Sequence, residues 1–217
     1  MADELIDIFD QNMNFIRTAM KSEAHTQGWW HKVFFCWLIR RSENGKLKIW
    51  CQQRSPNKQI GAGLLDASSA GHFKSGENLE QALSREVKEE LGLELPFDCI
   101  TQFGITQRLS GNKKIKNAEI VHRCYALTSA SLSELSLQKE EVSGIFEMDL
   151  EDAISLFSET VSQITITGLA LDESNNYIPS AKQVSVADFM DYGKTTYRDF
   201  FMNLQKYYNF EKENRNG

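Results

Sequence analysis

The densest set of groups able to do chemistry in this 217-residue chain lies between residues 71 and 94. Within 77–94, six glutamates (Glu77, Glu80, Glu86, Glu89, Glu90, Glu94) stand against Arg85 and Lys88. Leu79, Leu83 and Val87 recur at i, i+4 and i+8, so the spacing predicts a helix over 77–91 with one apolar stripe. Ser75 or Gly76 is expected to cap its start, and Gly92 suits its end. On that helix Glu86, Glu89 and Glu90 fall at i, i+3 and i+4 and gather on one face. Glu77 at the entry suits the positive end of the helix dipole. Like-charged helix pairs repel by only about 0.2–0.5 kcal/mol, so such a cluster alone is compatible with an ordinary solvated face. Chemically, it offers hard oxygen ligands. Mg²⁺ takes one or two such carboxylates together with waters and substrate phosphates.

The elements that must hold this helix alternate along the chain. Residues 5–9 and 32–39 read as strands. Asn44-Gly45 marks a hairpin turn over 42–46, and 47–53 returns as the partner strand. Residues 55–71, rich in Ser, Gly and Ala, read as irregular. Strands follow near 99–107, 118–127 and 141–148, with a polar loop at 110–114. Asp149 is expected to cap a helix lined by Leu150, Ile154, Phe157 and Val161. The tail reads as a hairpin, 164–171 and 177–186, around a turn at 172–176. A final helix over about 186–208 carries Phe189, Tyr197, Phe200, Phe201 and Leu204, and 211–217 are expected to fray. Strands with packed helices and this extension predict an α+β (or α/β) fold, a mixed sheet sandwiched between helices.

Lys and Arg number 24 against 30 Asp and Glu, a net charge of −6 with a pI near 5.3. That balance argues against electrostatic DNA binding but not against a phosphate-bearing substrate, since a bound cation reverses the local sign. The longest apolar run, 33–39, is far short of the ~20 residues of a membrane span. Cys36, Cys51, Cys99 and Cys124 show no metal-binding spacing and read as reduced thiols, mostly in the core. With an acidic start instead of a basic leader, they point to a cytoplasmic location.

The whole segment matches G-x5-E-x7-R-E-U-x-E-E-x-G-U, with U aliphatic, at every defined position: Gly71, Glu77, Arg85, Glu86, Val87, Glu89, Glu90, Gly92 and Leu93. Seven fixed residues at about one in sixteen each give a chance on the order of 10⁻⁹ per window. The chain therefore resembles the Nudix hydrolase superfamily. The resemblance implies Mg²⁺ (or Mn²⁺) held by Glu86, Glu89 and Glu90. It also implies Arg85 paired with a box carboxylate such as Glu77, and Gly71 allowing close backbone approach. Outside the box, the layout of 52–58, 69–72 and 118–121 is similar to the isopentenyl-diphosphate isomerases and their hydrolase relatives. That similarity covers residues 4–157, so residues 1–162 are expected to form the Nudix domain. Residues 163–217 are expected to be an extension packed on it or on a partner, including a second copy in a homodimer.

The departures from the isomerase pattern favour hydrolysis of a small-molecule diphosphate. The isomerases carry a catalytic cysteine where this chain has Ala70, and a basic residue where it has Glu86. The resemblance places Arg54 and Lys58 on the diphosphate and His72 beside the site. It leaves the general base open among Glu89, Glu90 and Glu119, with Glu140 and Glu141 as weaker choices and Glu141 read as structural. Lys113, Lys114 and Lys116 read as a solvated turn and His31 as structural. Trp37 and Trp50 are assigned to the core, while Trp29 and Trp30 are the pair better placed for substrate. The competing reading is a Nudix-fold nucleotide-binding or regulatory module without turnover.

Overall fold

The computed structural model describes residues 3–111 and 116–215. Along the chain run β1 (Leu5–Phe9), β2 (Phe15–Met20), α1 (Lys21–Gln27), β3 (Trp30–Arg41), β4 (Leu47–Arg54), β5 (Leu65–Ala67) and β6 (Ser69–His72). Then come α2 (Leu79–Leu91), β7 (Ile100–Gly111), β8 (Lys116–Thr128), β9 (Val142–Asp149) and α3 (Leu150–Phe157). The extension holds β10 (Ile164–Leu171), β11 (Tyr177–Val184) and α4 (Lys194–Arg215). The class is α+β, and these strands pair antiparallel. No helix among the described residues is long and apolar enough to cross a membrane. Lys113 and Lys114 of the expected basic turn lie outside the described residues, and Lys116 opens β8.

The chain divides into two compact units. The first comprises Met1–Leu38, Ala67–Thr128 and Leu135–Gln138. In it β1 pairs with β2 and with the start of β3, β3 pairs with β6, and β7 with β8 makes a long two-stranded ribbon. Helix α2 packs on β6 through Ala82, Leu83, Val87 and Leu91, all wholly buried. The apolar stripe is thus confirmed from Leu83 onward, while Leu79 is only half-buried at the helix start. Helix α2 begins later than spacing alone predicts. Its cap is Asn78 rather than Ser75 or Gly76, because Asn78 and Gln81 form a reciprocal capping box. Gly92, at φ 67°, ends the helix in the left-handed region.

The second unit comprises Ile39–Asp66, Ser129–Glu134 and Lys139–Gly217. There β4 pairs with the end of β3 and with β9, β9 with β10, and β10 with β11. Helix α4 packs on α3 through an aromatic cluster, with Phe157 stacked on Tyr197 at 4.5 Å and flanked by Phe189 and Phe201. Helix α3 ends at Phe157, so Val161 lies beyond it and is exposed. The reversal comes at Glu159, whose φ of 57° no helix continues through. The buried face is instead Leu150, Ala153, Leu156 and Phe157. The last helix starts at Lys194, not 186, because Met190 N donates to Leu65 O and pulls the intervening segment off a helical path. It then runs through Arg215 instead of fraying at 211.

The sequence reading missed three features. Residues 55–71 contain β5 and β6, short and largely buried strands without alternation to betray them. Residues 15–27 contain β2 and α1, for which the signal available was Gly28 closing the helix. Trp29 does not stand open. It packs on Ile6, Ile8, Ala19 and Ala24 with Arg17 over its ring at 4.0 Å. Trp37 and Trp50 are buried, and Cys36, Cys51 and Cys124 are buried free thiols.

Candidate active site

The box forms a loop, a helix and a cap within the first unit. Glu77 lies before α2, and its carboxylate accepts from Lys74 N at 2.8 Å. Arg85, one face further on, clasps Glu77 bidentately through Nε at 2.8 Å and Nη2 at 2.9 Å. Its Nη1 donates to Glu86 Oε1 at 2.8 Å, and Nη2 also reaches His72 O at 3.1 Å. Glu89 Oε2 lies 3.6 Å from Nη1. One planar fork therefore ties the entry loop, β6 and two turns of α2 together, a task a single ammonium could not perform.

The same contacts set the electrostatics. Hydrogen bonds donated to Glu77 raise the Arg85 pKa, and burial opposes this only in part. Burial pushes the Glu77 carboxyl up, but Arg85 and the Lys74 amide outweigh it and hold it below its ordinary value. Glu86 goes the other way. Burial raises it, the Glu89 charge adds to the rise, and Arg85 does not fully compensate. A part-buried acid beside further acids is stabilised by a cation. Gly71 makes room for the Glu86 side chain: a Cβ at residue 71 would lie 2.6 Å from Glu86 Cγ. Glu90 is buried, with Ser69 Oγ donating to its Oε2 at 3.1 Å, whereas the Glu89 side chain is half exposed. Glu86, Glu89 and Glu90 thus offer hard carboxylate oxygens of the kind Mg²⁺ takes.

The structure adds a neighbouring group that the sequence reading did not assemble. His25 from α1, His31 from β3 and His72 from β6 bring one ring nitrogen each within 4.8 Å of one another. His31 Nδ1 donates to Trp29 O at 2.8 Å, leaving Nε2 with its lone pair and, among the described residues, no hydrogen-bond partner. Burial holds His31 neutral, with its pKa pushed down to about 4. His25 Nδ1 donates to Asn117 Oδ1 at 2.7 Å, so its Nε2 is the acceptor in the hydrogen bond with His72 Nε2 at 3.0 Å. Backbone and amide oxygens that fix tautomers in this way are how ligating histidines are oriented. Imidazole donors suit transition ions better than Mg²⁺. His25 went unnoticed because it sits in a short polar helix. The signal available was a Gly-His strand end beside two further histidines, which only pairing brings together.

The remaining predicted residues are already engaged. Glu119 in β8 is buried and accepts from Arg108 through Nε at 2.9 Å and through Nη2. In the second unit, Arg54 donates to the fully buried Asp66 at 2.9 Å. Lys58 pairs with Glu141, which is buried. Ala70 in β6 pairs with Phe35 of β3 and carries no acid–base group.

Comparison with known proteins fits this arrangement. The NUDIX domain model matches residues 29–166. An uncharacterized Nudix hydrolase of Clostridium acetobutylicum is 29% identical over 88% of this chain and 91% of its own length. An isopentenyl-diphosphate Delta-isomerase of Photorhabdus laumondii is 32% identical over 46% of this chain, which spans 55% of that relative. The crystal structure of DR0079 from Deinococcus radiodurans shares the fold, with TM-score 0.52 and 19% identity over 72% of this chain and 90% of its own. A box complete at every defined position, inside a domain match that takes in both its helix and the strands carrying it, establishes that the chain belongs to the Nudix family and is a pyrophosphohydrolase of that family.

Proposed function

We propose that this enzyme cleaves a diphosphate linkage in a nucleoside diphosphate-linked small molecule, using Mg²⁺ (or Mn²⁺) at Glu86, Glu89 and Glu90. The observation that carries this reading is the complete box, with Arg85 spanning Glu77 and Glu86. Family members generally depend on a divalent metal ion. Held by these carboxylates, the ion supplies positive charge to the phosphoryl oxygens and favours deprotonation of the attacking water. The protein's own share is positional. Arg85 holds the carboxylates at fixed spacing, Gly71 admits Glu86, and Ser69 orients Glu90. Glu89, half exposed and only loosely tied to Arg85, is the carboxylate best able to take a proton from water. Glu119, held by Arg108, is read as supporting the site. Arg54 and Lys58 are read as the contacts to the substrate diphosphate, with His72 beside it. Residues 1–162 are read as the catalytic domain and 163–217 as its extension.

Isomerisation is disfavoured because Ala70 offers no acid–base group. A second cation is favoured by one observation, the clustering of His25, His31 and His72 around the His31 Nε2, unbonded among the described residues, and it would be a transition ion such as Zn²⁺ or Fe²⁺. The test is phosphate release over a broad diphosphate panel, including nucleotide sugars, dinucleotides and isoprenoid diphosphates. Glu89→Gln and Glu90→Gln should each lower metal-dependent turnover on the order of 10²- to 10³-fold while the fold is retained. Full activity in both variants would remove the metal assignment. Tight metal-independent binding without release across the panel would favour a binding module.

A further inference from the structure

The family match ends at residue 166, yet residues beyond it bear on Arg54. Arg54 closes β4, and its backbone is fixed by the following loop: its N–H donates to Leu64 O at 2.9 Å and its carbonyl accepts from Gly63 N at 3.1 Å. Two of its side-chain nitrogens are also held. Nη1 donates to Asp66 Oδ2 at 2.9 Å, and Nε donates to Ile60 O at 3.2 Å. Nη2 is engaged by no described residue.

Asp66 has no exposed surface, and a buried carboxylate needs donors. The Tyr192 hydroxyl is one of them, 2.9 Å from Oδ1 and 3.1 Å from Oδ2. Tyr192 belongs to the segment between β11 and α4, which is sewn to the loop around Arg54. Met190 N donates to Leu65 O at 2.8 Å, Phe189 bridges Leu65, and Tyr197 Oη donates to Met190 O at 2.9 Å. The Tyr192 ring stacks on Tyr197.

We propose that Tyr192, acting through Asp66, is a positioning residue that keeps Arg54 Nη2 turned toward a substrate phosphate. The inference rests on Arg54 being a diphosphate contact. Its physical basis is competition for donors at a buried charge. Without the phenol, Asp66 loses a donor where water does not replace it. The guanidinium already bound to it then rotates into a fork, presenting Nη2 as well as Nη1. The nitrogen meant for phosphate is thereby diverted inward. The extension thus sets phosphate affinity without touching the substrate.

The test uses the full chain and inorganic pyrophosphate with Mg²⁺ as the probe, with binding measured by calorimetry. Wild type, Arg54→Ala, Tyr192→Phe and the double variant are compared. Tyr192→Phe deletes one hydroxyl and keeps the ring stacked on Tyr197, so the fold is retained, and thermal midpoints check this. Expected are weaker binding in Arg54→Ala, weaker binding by about three- to ten-fold in Tyr192→Phe, and no further loss in the double variant. That non-additivity is something a merely structural tyrosine would not produce. Arg54→Ala weakened with Tyr192→Phe at the wild-type affinity overturns the positioning role and leaves Arg54 standing. Additive losses in the double variant overturn it too. Arg54→Ala binding like wild type, or no binding by wild type itself, overturns the diphosphate reading of Arg54 and this inference with it.

Discussion

Arg85 and Arg54 both meet carboxylates, and the two meetings run in opposite directions. In the first unit the arginine serves the acids. It clasps Glu77 with two nitrogens and Glu86 with a third, fixing carboxylates that we propose hold a cation. In the second unit the acid serves the arginine. Asp66 is fully buried, Tyr192 donates to it, and one guanidinium nitrogen is left over. On our reading, the same ion pair therefore builds a cation site in one place and an anion contact in the other. In each pair the multiply bonded partner acts as the anchor, Arg85 in the first and Asp66 in the second, and the other partner is the working group.

That contrast can be broken most sharply at Arg85. Arg85→Lys keeps the charge but loses the fork, so it reaches Glu77 or Glu86 and not both. Metal-dependent kcat/KM should fall about 10- to 100-fold, the usual cost of removing a group that orients ligands. A wild-type rate would show that charge alone suffices and that the fork is incidental. A smaller effect tests the carboxylate that Arg85 clasps with two nitrogens. Glu77, held below its ordinary 4.5, contributes stability that is fully present above that value and is lost as pH falls through its folded value. Glu77→Gln should therefore be less stable than wild type near neutrality, and the gap should close below about pH 4.5 when urea midpoints are followed with pH. A gap that stays constant into acid would mean the loss is steric. The smallest effect separates the helix from the chemistry it carries. Asn78→Ala removes the cap of α2 and should cost about 1 kcal/mol in urea denaturation, with turnover within two-fold of wild type.

The two centres also differ in how legible they were. Glu77, Arg85, Glu86, Glu89 and Glu90 lie along one loop and one helix, where periodicity alone puts i, i+3 and i+4 on a common face. The apolar stripe, the C-terminal glycine and the tail hairpin were legible for the same reason. The helix start was misplaced by a few residues, because Asn78 and Gln81 cap each other and no single residue type announces that. The strand β6 was hidden by its length of four residues, too short to show alternation, and with it the meeting of His72 with His25 and His31. Arg54, expected on the diphosphate, is also engaged by Asp66, and no local pattern links those residues to Tyr192.

By itself the sequence determined the family, the carboxylate set and the helix that carries it, because these depend on covalent spacing and a fixed helical period. The tertiary structure alone decided which nitrogens are satisfied, which acids are buried and which segments meet. Those outcomes depend on groups far apart in the chain competing for the same donors once water is gone.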